Sequence, residues 1–201
     1  MKRIISTTLI LSLLLSPLVL VSCGDAETKV VESAFVKITT PETWYMFDYG
    51  GDALKAAANY RRVIFSKHPL NFKYTYEEQG EEYLLTCQIV FDPKVQQGDF
   101  SRLQAPYEGA GVKIVRNENI PFTGALGRWV ETETTLADGT VNRSILVDIP
   151  VEMGYVTIDF FGPVADTKVY NEAVEIIESV EITDSSFFEK NPQGDPLQRR
   201  N

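Results

Sequence analysis

The stretch that decides the fold is RWVETETTLADGTVNRSILVDI, residues 128–149. Two segments rich in β-branched residues flank Asp138-Gly139, a dipeptide that is typical of a two-residue hairpin turn. Such a turn pairs Ala137 with Thr140 and thereby sets the register of both strands. The stretch predicts two long antiparallel strands joined by a tight turn.

The predicted register also decides which side chains of the hairpin share a face. It pairs Glu133 with Ser144, Glu131 with Leu146 and Trp129 with Asp148. Because side chains alternate along a strand, one face is expected to carry Trp129, Glu131, Glu133 and Asp148. The opposite face is expected to carry an apolar set that suits a core, namely Val130, Thr132, Leu136, Val141, Ile145 and Val147.

The face with Trp129, Glu131, Glu133 and Asp148 is a candidate binding patch. Carboxylates beside an aromatic ring can attract a hard cation such as Ca²⁺, a basic peptide or a sugar. Alternatively, the charges provide solubility and protect the sheet from pairing with other chains. We favour this second interpretation.

Alternating and helical patterns continue on both sides of the hairpin. Helices are predicted after Asp52 and after Asp166, each of which can cap the first helical turn. Further strands are predicted at Phe35 to Thr39, Tyr83 to Phe91, Val112 to Val115 and Tyr155 to Phe161. The sequence therefore predicts the α+β class, with an antiparallel β-sheet and flanking helices.

The first 22 residues resemble the leader of an exported protein. They combine the basic pair Lys2-Arg3 with an apolar stretch and small residues before a cleavage site. Ser12, Ser16 and Pro17 interrupt the stretch, whereas a membrane-spanning helix needs roughly 20 continuous apolar residues. We therefore expect residues 1–22 to be a signal peptide and not a membrane anchor.

Leu20-Val21-Ser22-Cys23 resembles the bacterial lipobox. The resemblance implies cleavage before Cys23 and a diacylglyceryl group on its thiol. The alternative is an ordinary secretory signal with a chance cysteine. Each buried methylene is worth about 0.8 kcal/mol, so two or three acyl chains would anchor the protein stably. The resemblance implies a lipid-anchored protein on the extracytoplasmic side of a bacterial cell envelope, and Gly24 after the cysteine favours the outer membrane if the organism has one.

Charge narrows the class of partner. The formal charge of the chain is −9, and loss of Lys2 and Arg3 with the leader would make it more negative. An acidic surface argues against nucleic acid as a partner. It should also be repelled by anionic lipid headgroups, so the domain is expected to float clear of the bilayer and to be held by the lipid on Cys23.

Composition along the chain predicts the domain boundaries. Residues 23–34 are expected to be the lipidated N-terminus and a polar tether, and 35–183 a single α+β domain. Residues 184–201 are expected to be a polar, flexible C-terminal tail whose main apolar residues are Phe187 and Phe188.

A search for catalytic chemistry gives no constellation. The single histidine, His68, has no evident nucleophile beside it, and Cys87 lies within a predicted strand, where a thiol packs as a small apolar group. A reactive thiol at Cys87, or a disulfide to a partner, remains an alternative. Gly109-Ala110-Gly111 precedes a strand and not a helix, which is the wrong context for a dinucleotide loop. We predict no catalytic residue, no metal site and no cofactor.

Three stretches resemble the PsbP-like family, including its DcrB-like bacterial lipoproteins. They are the strand Phe35 to Ile38 followed by Pro41-Glu42-Thr43-Trp44, the late strand Gly154 to Phe160, and the helix end Ile176 to Val180. The resemblance covers about residues 35–182. It implies an α/β/α sandwich, an antiparallel sheet between helices, and a non-enzymatic accessory or binding module.

Three functional hypotheses follow. The first is a membrane-anchored binding or accessory module of the cell envelope, with membrane lipid and an envelope protein or polymer as partners. The second is an extracytoplasmic hydrolase that uses Glu131, Glu133 or Asp148, and the third is a structural envelope lipoprotein. Tyr45, Tyr49 and Tyr107 lie near predicted loops, and amphipathic rings at such positions are favoured in binding surfaces.

Overall fold

The computed structural model describes residues 27–48, 60–67, 84–101, 108–109 and 111–191. Within these ranges the strands are β1 (Thr28–Ser33), β2 (Val36–Pro41), β3 (Tyr45–Asp48), β4 (Tyr60–Ser66), β5 (Leu84–Phe91), β6 (Val112–Phe122), β7 (Ala125–Thr135), β8 (Val141–Val151), β9 (Gly154–Pro163) and β10 (Glu181–Ile182). The helices are α1 (Thr167–Glu178) and α2 (Phe187–Lys190). The predicted helix after Asp52 lies outside the described residues.

These strands form two antiparallel sheets. The larger has seven described strands in the order β3-β4-β5-β9-β8-β7-β6, and the smaller has three in the order β1-β2-β10. Buried and partly exposed residues alternate along strand β9. Since successive side chains of a strand point to opposite faces, one face of the large sheet is buried and the other is more exposed. The predicted α+β class is confirmed.

One face of the large sheet, which we call the inner face, carries the core. A row of directly opposed residues crosses five of its strands, and all are buried: Val63, Cys87, Ile158, Val147 and Trp129. Helix α1 covers this face with its buried residues Val169, Ala173, Ile176 and Ile177. The small sheet contributes Val31, Val36 and Ile38 to the same cluster.

Local signals place α1 as the sequence predicts. Asp166 precedes the helix, and its carboxylate accepts a hydrogen bond from the backbone N–H of Val169 at 3.1 Å. At the other end the backbone N–H of Thr39 donates to the Ser179 hydroxyl at 2.9 Å, which ties the helix end to β2. The helix is thus fixed between the two sheets.

Residues 23–34 were expected to include a polar tether, and this prediction is wrong for residues 28–33. Thr28–Ser33 forms β1, which pairs with β2 along its whole length, and Val31 and Ser33 are buried. A polar segment of this length can be a strand when its partner satisfies its backbone, and composition alone does not reveal the partner.

Residues 184–201 were expected to be a flexible tail, and this prediction is wrong for residues 187–190. Phe187–Lys190 forms α2, and the Phe188 ring is 0% exposed. Its centroid lies 5.3 Å from that of Phe35 and 5.4 Å from that of Phe91. The folded region therefore extends beyond the predicted limits of 35 and 183 at both ends.

Candidate functional site

The hairpin that defines the candidate site has a different register from the predicted one. Its loop is three residues long, 137–139, because the backbone N–H of Leu136 donates to the Thr140 carbonyl at 2.8 Å and that of Gly139 to the Leu136 carbonyl at 3.0 Å. Thr135 pairs with Val141. Gly139 has φ of +87°, and the Asp138 carboxylate accepts from the backbone N–H of Thr140 at 2.9 Å. A three-residue hairpin loop of this kind combines a type I turn with a residue at positive φ, for which glycine is suited.

The change in register moves Asp148 to the other face of the sheet. Trp129 lies opposite Val147, Glu131 opposite Ile145 and Glu133 opposite Arg143, each one residue earlier in β8 than predicted. Asp148 lies opposite Arg128 instead of Trp129. A slip of one residue exchanges the faces of a strand, so Trp129, Glu131, Glu133 and Asp148 do not form one patch.

Burial corrects the predicted core face as well. Trp129 is 0% exposed and Glu131 is 3% exposed, and both lie on the inner face with Ile145 and Val147. Leu136 and Leu146 are exposed. The face that was predicted to meet solvent is therefore the face that lies toward the core.

Buried Glu131 is the centre of a partly exposed network, the Arg143 cluster, which consists of Trp129, Glu131, Glu133, Arg143 and Tyr170. The Trp129 indole N–H donates to Glu131 Oε2 at 3.2 Å, and the Tyr170 hydroxyl donates to Glu131 Oε1 at 2.9 Å. Arg143 Nε lies 3.3 Å from Glu131 Oε1. The carboxylate thus has a donor or a cation at both oxygens.

Arg143 joins this carboxylate to a second one and to the helix. It donates a hydrogen bond to Glu133, and its guanidinium lies 4.6 Å from the centroid of the Tyr170 ring. Tyr170 belongs to α1, whereas Glu133 and Arg143 belong to β7 and β8. The Arg143 cluster therefore holds α1 against the large sheet by charge-assisted bonds as well as by apolar packing.

The electrostatics of the Arg143 cluster favour the charged form of Glu133. The hydrogen bond from Arg143 holds the pKa of Glu133 below its ordinary value, against a smaller opposing effect of burial. Burial and the hydrogen bond to Glu131 raise the pKa of Tyr170. A general acid needs a pKa near the working pH, so the lowered pKa of Glu133 suits an ion pair and not proton transfer.

A second network, the Trp44 cluster, has the same construction at the other side of α1. The Trp44 indole N–H donates to Glu172 Oε2 at 2.7 Å, and Lys67 Nζ donates to the same oxygen at 2.7 Å. Lys67 also lies 5.4 Å from the centroid of the Trp44 ring. Glu172 comes two residues after Tyr170 on α1, so a single turn of one helix serves both tryptophans from nearly opposite sides.

The Trp44 cluster gives the fold a predictable response to acid. Burial raises the pKa of Glu172, but the hydrogen bonds from Lys67 and Trp44 and the nearby lysine charges outweigh it and hold the pKa below 4.5. A lowered pKa means that the ionised carboxylate stabilises the fold above pH 4.5 and that this contribution is lost as pH falls through the lowered value.

We expect Glu172→Gln to be less stable than the unmodified chain at pH 7 and to lose less stability between pH 5 and pH 3, about the range over which an aspartate or glutamate titrates. Urea denaturation across this pH range measures the effect. Lys67→Met is the matched control, because it removes the same ion pair from its other end. Equal acid sensitivity of Glu172→Gln and the unmodified chain would contradict the assignment.

The outer face of the large sheet carries a row of polar residues that sequence reasoning missed. Directly opposed positions across five strands are Arg62, Gln88, Thr157, Asp148 and Arg128. The Thr157 hydroxyl donates to the buried Asp148 at 3.1 Å. Burial raises the pKa of nearby Asp159, against the opposing charge of Arg62. Within each strand, alternating polar residues predict only a solvated face. The pairing of the strands shows that these five residues form one row across the sheet.

Other predicted features have separate outcomes. Cys87 is buried on the inner face, consistent with its interpretation as a core residue. Tyr45 is 50% exposed on β3, while His68, Tyr49, Tyr107 and Cys23 lie outside the described residues.

The described residues contain no group of three or more His, Cys, Asp or Glu side chains that could hold a metal ion. None of the helices in the described ranges has the length and apolar character that crossing a membrane requires.

Comparison with protein-family models and with curated protein sequences finds no match. Comparison with solved structures finds the solution structure of cyanobacterial PsbP (CyanoP) from Synechocystis sp. PCC 6803, with a TM-score of 0.50 and 12% identity over 80% of this chain and 95% of that chain. A protein from Bacteroides thetaiotaomicron VPI-5482 has a TM-score of 0.44 and 11% identity over 79% of this chain and 49% of that chain.

A third structure is the immunity protein TplEi of the T6SS from Pseudomonas aeruginosa, complexed with "L" peptide. It has a TM-score of 0.40 and 10% identity over 62% of this chain and 48% of that chain. The likeness to cyanobacterial PsbP spans most of both chains and concerns the fold. The chain therefore has an α+β fold similar to that of PsbP, with antiparallel sheets and few helices.

Proposed function

We propose that this chain is a lipid-anchored lipoprotein of a bacterial cell envelope, in which the α+β domain acts as a non-enzymatic binding or accessory module. The observation that carries the proposal is Cys23 at the end of an export-type leader, five residues before β1 begins at Thr28. On this proposal the lipid attaches close to a folded domain outside the cytoplasm.

The state of the carboxylates supports a non-enzymatic role. Glu131 and Glu133 are engaged by Arg143, and Glu172 by Lys67 and Trp44. Asp148, the third residue of the hydrolase hypothesis, lies on the opposite face of the sheet from Glu131. A pair of carboxylates that shared one substrate would have to face the same side, so this arrangement does not favour that hypothesis.

The fold supports the accessory role by likeness alone. PsbP-like proteins share the antiparallel sheet, and the resemblance found in the sequence implies a binding or accessory module. The partner is proposed to be an envelope protein or polymer, with membrane lipid held through Cys23. In the alternative structural role, the partner is a second copy of this chain or peptidoglycan. The cross-linking experiment described below distinguishes the two roles.

Replacement of the anchoring cysteine tests location. We expect Cys23→Ala to leave the membrane fraction or to accumulate as a longer, uncleaved precursor, because the acyl chains supply the attachment. Fractionation with immunoblotting shows both outcomes. Cys87→Ala is the matched control, since Cys87 is buried in β5 and its loss should leave fractionation unchanged. An unmodified N-terminus in the mass spectrum of the native protein would contradict the proposal.

Cross-linking of the anchored protein in intact cells, followed by mass spectrometry, tests the role. Recovery of one envelope protein or polymer supports a binding module, and recovery of this chain or peptidoglycan alone supports the structural role. If no partner is recovered and the pure protein turns over a glycan or peptide, the non-enzymatic assignment is overturned.

A further inference from the structure

The loop of the β7–β8 hairpin contains the one Asp-Gly dipeptide of the chain, Asp138-Gly139. Both residues are exposed, and an ideal Cβ built on Gly139 would have no heavy atom within 4 Å apart from its chain neighbours. Water therefore reaches this peptide bond. The dipeptide combines an electrophile, the side-chain carbon Cγ of Asp138, with a nucleophile, the backbone nitrogen of Gly139, which no side chain on that residue shields.

An aspartate followed by glycine can rearrange with water as the only reagent. The glycine nitrogen bonds to Cγ, the Cγ–OH bond breaks, and the amide proton leaves with the hydroxyl group as water, which closes a succinimide ring. Water then opens the ring. Addition of water at Cγ restores aspartate, whereas addition at the main-chain carbonyl carbon gives isoaspartate. The main chain of isoaspartate passes through Cβ and Cγ, so it has the same mass and one more backbone atom.

The folded loop engages the nucleophile of this reaction. The backbone N–H of Gly139 donates to the carbonyl of Leu136 at 3.0 Å, and the N–H of Leu136 donates to the carbonyl of Thr140 at 2.8 Å. Gly139 has φ of +87°, a conformation that glycine adopts without strain. Attack on Cγ needs the Gly139 nitrogen to lose its proton and to face the side chain. The hydrogen bond to Leu136 must therefore break first.

The folded loop also engages the electrophile. The Asp138 carboxylate accepts a hydrogen bond from the backbone N–H of Thr140 at 2.9 Å. Hydrogen bonds from the backbone and then the side chain of Thr140 lower the pKa of Asp138. Ring closure releases a hydroxyl group from the protonated carboxyl, and a lowered pKa makes that form scarcer. The carboxyl group is thus held toward residue 140 in its less reactive, ionised state.

Strand pairing on both sides of β7 keeps the loop closed. Thr135 pairs with Val141 at the base of the loop, and the backbone N–H of Thr135 donates to the carbonyl of Gly111 at 2.9 Å. Gly111 directly precedes β6, and β7 lies between β6 and β8. Opening of the loop therefore requires the end of the hairpin to separate from its neighbours, which is a local unfolding event.

From these contacts we propose that Asp138 is a modification site controlled by folding, which forms isoaspartate when the hairpin loop opens and is protected while the loop is closed. The two hydrogen bonds protect separately, since one holds the attacking nitrogen and the other holds the carboxyl group that it attacks. The site is independent of the lipid anchor and of the proposed function.

Isoaspartate at this position alters the hairpin. The register of a hairpin is set by the length of its loop, and the extra backbone atom lengthens the path from Leu136 to Thr140. Glu133 lies opposite Arg143 in the observed register. The modified chain is therefore expected to close the hairpin less well and to weaken the contacts of Arg143 with Glu131 and Glu133.

Ageing of the purified protein tests the protection. The native protein and the same protein in guanidinium chloride are incubated at pH 7, and isoaspartate at position 138 is measured by chromatography and fragmentation mass spectrometry after proteolysis. A peptide with the sequence of residues 133–144 is aged in both solvents, which corrects for the effect of denaturant on the chemistry. We expect isoaspartate to form at least about tenfold more slowly in the native protein, since two hydrogen bonds must first be broken.

Two variants locate the protection in the loop. Thr140→Pro removes the N–H that the Asp138 carboxylate accepts and keeps the carbonyl of residue 140, so it should speed isoaspartate formation in the native state. Asp138→Ser keeps a side-chain oxygen but cannot form the ring, so it should give no isoaspartate at position 138. Circular dichroism checks that both variants fold. If Thr140→Pro is unfolded, Thr140→Val replaces it, since it removes only the hydroxyl donor and should give a smaller increase.

Three results would overturn the proposal. They are equal corrected rates in the native and unfolded protein, absence of isoaspartate at position 138 in the unfolded protein, and a folded Thr140→Pro that ages no faster than the unmodified protein. The effect on the hairpin is measured on isoaspartate-containing protein that is separated after ageing and refolded beside the aspartate form. We expect a lower urea midpoint for the isoaspartate form, and an equal midpoint would overturn the expected effect on the Arg143 cluster.

Discussion

Replacement of Arg143 by methionine is expected to lower the free energy of unfolding by about 3 kcal/mol or more, the usual effect of removing one partner of a buried ion pair. Glu131 is 3% exposed and would keep the neutral donors Trp129 and Tyr170 but no cation within the cluster. Glu133 would lose its hydrogen bond from Arg143 at the same time. Urea denaturation at pH 7 measures the change.

A double-mutant cycle distinguishes a buried charge from lost packing. We expect Arg143→Met combined with Glu131→Gln to be more stable than Arg143→Met alone, because the combination removes the uncompensated carboxylate. Arg116→Met is the matched control. Arg116 lies 4.5 Å from the centroid of the Trp129 ring, but its partner Glu118 is exposed, so its loss should be worth less than about 1 kcal/mol.

Two results would count against this account of the Arg143 cluster. One is a stability of Arg143→Met that matches Arg116→Met. The other is a double variant that is no more stable than Arg143→Met, since the effect would then come from packing of the arginine side chain.

Phe188→Ala is expected to destabilise the fold by about 3–5 kcal/mol, the usual range for removal of a buried phenylalanine ring. The ring packs against Phe35, Phe91 and Phe187. An ideal Cβ on Gly154 would lie 2.3 Å from Phe188, which shows how closely the ring fits against the start of β9. A segment that composition assigns to a tail therefore closes one end of the core.

The matched control for Phe188→Ala is Phe161→Ala. Both replace the same side chain, but Phe161 is 45% exposed, so its loss should change the free energy of unfolding by less than about 1 kcal/mol. Thermal and urea denaturation of both variants measure the difference. If the two variants were equally stable, residues 187–190 would not be part of the core.

Local sequence signals were sufficient for several elements. The helix cap at Asp166, the apolar stripe of α1 and the strands on either side of residues 136–140 all form where the patterns predict them. Each depends on residues that are close in sequence, so neighbouring side chains contain the information. Strand β1 and helix α2 were missed because each is stabilised by distant partners, β2 for one and Phe35 for the other.

The candidate site was harder to predict because its geometry depends on the hairpin register. Asp138-Gly139 is compatible with a two-residue turn and with the three-residue loop observed, and these differ by one residue in pairing. That shift of one residue decides whether Asp148 lies on the same face of the sheet as Trp129 or on the opposite face. The Trp44 cluster joins residues that are 128 positions apart, and no local pattern indicates such a contact.

By itself, the sequence determined the α+β class, the existence of the long hairpin and the capped helix, because these follow from alternation, helical spacing and turn chemistry within short windows. Only the tertiary structure decided which face of the hairpin is buried. Glutamates on a strand indicate solvent when considered alone, yet Glu131 lies inside because Arg143 on the next strand and Tyr170 on the helix supply the charge and the hydrogen bond that its burial requires.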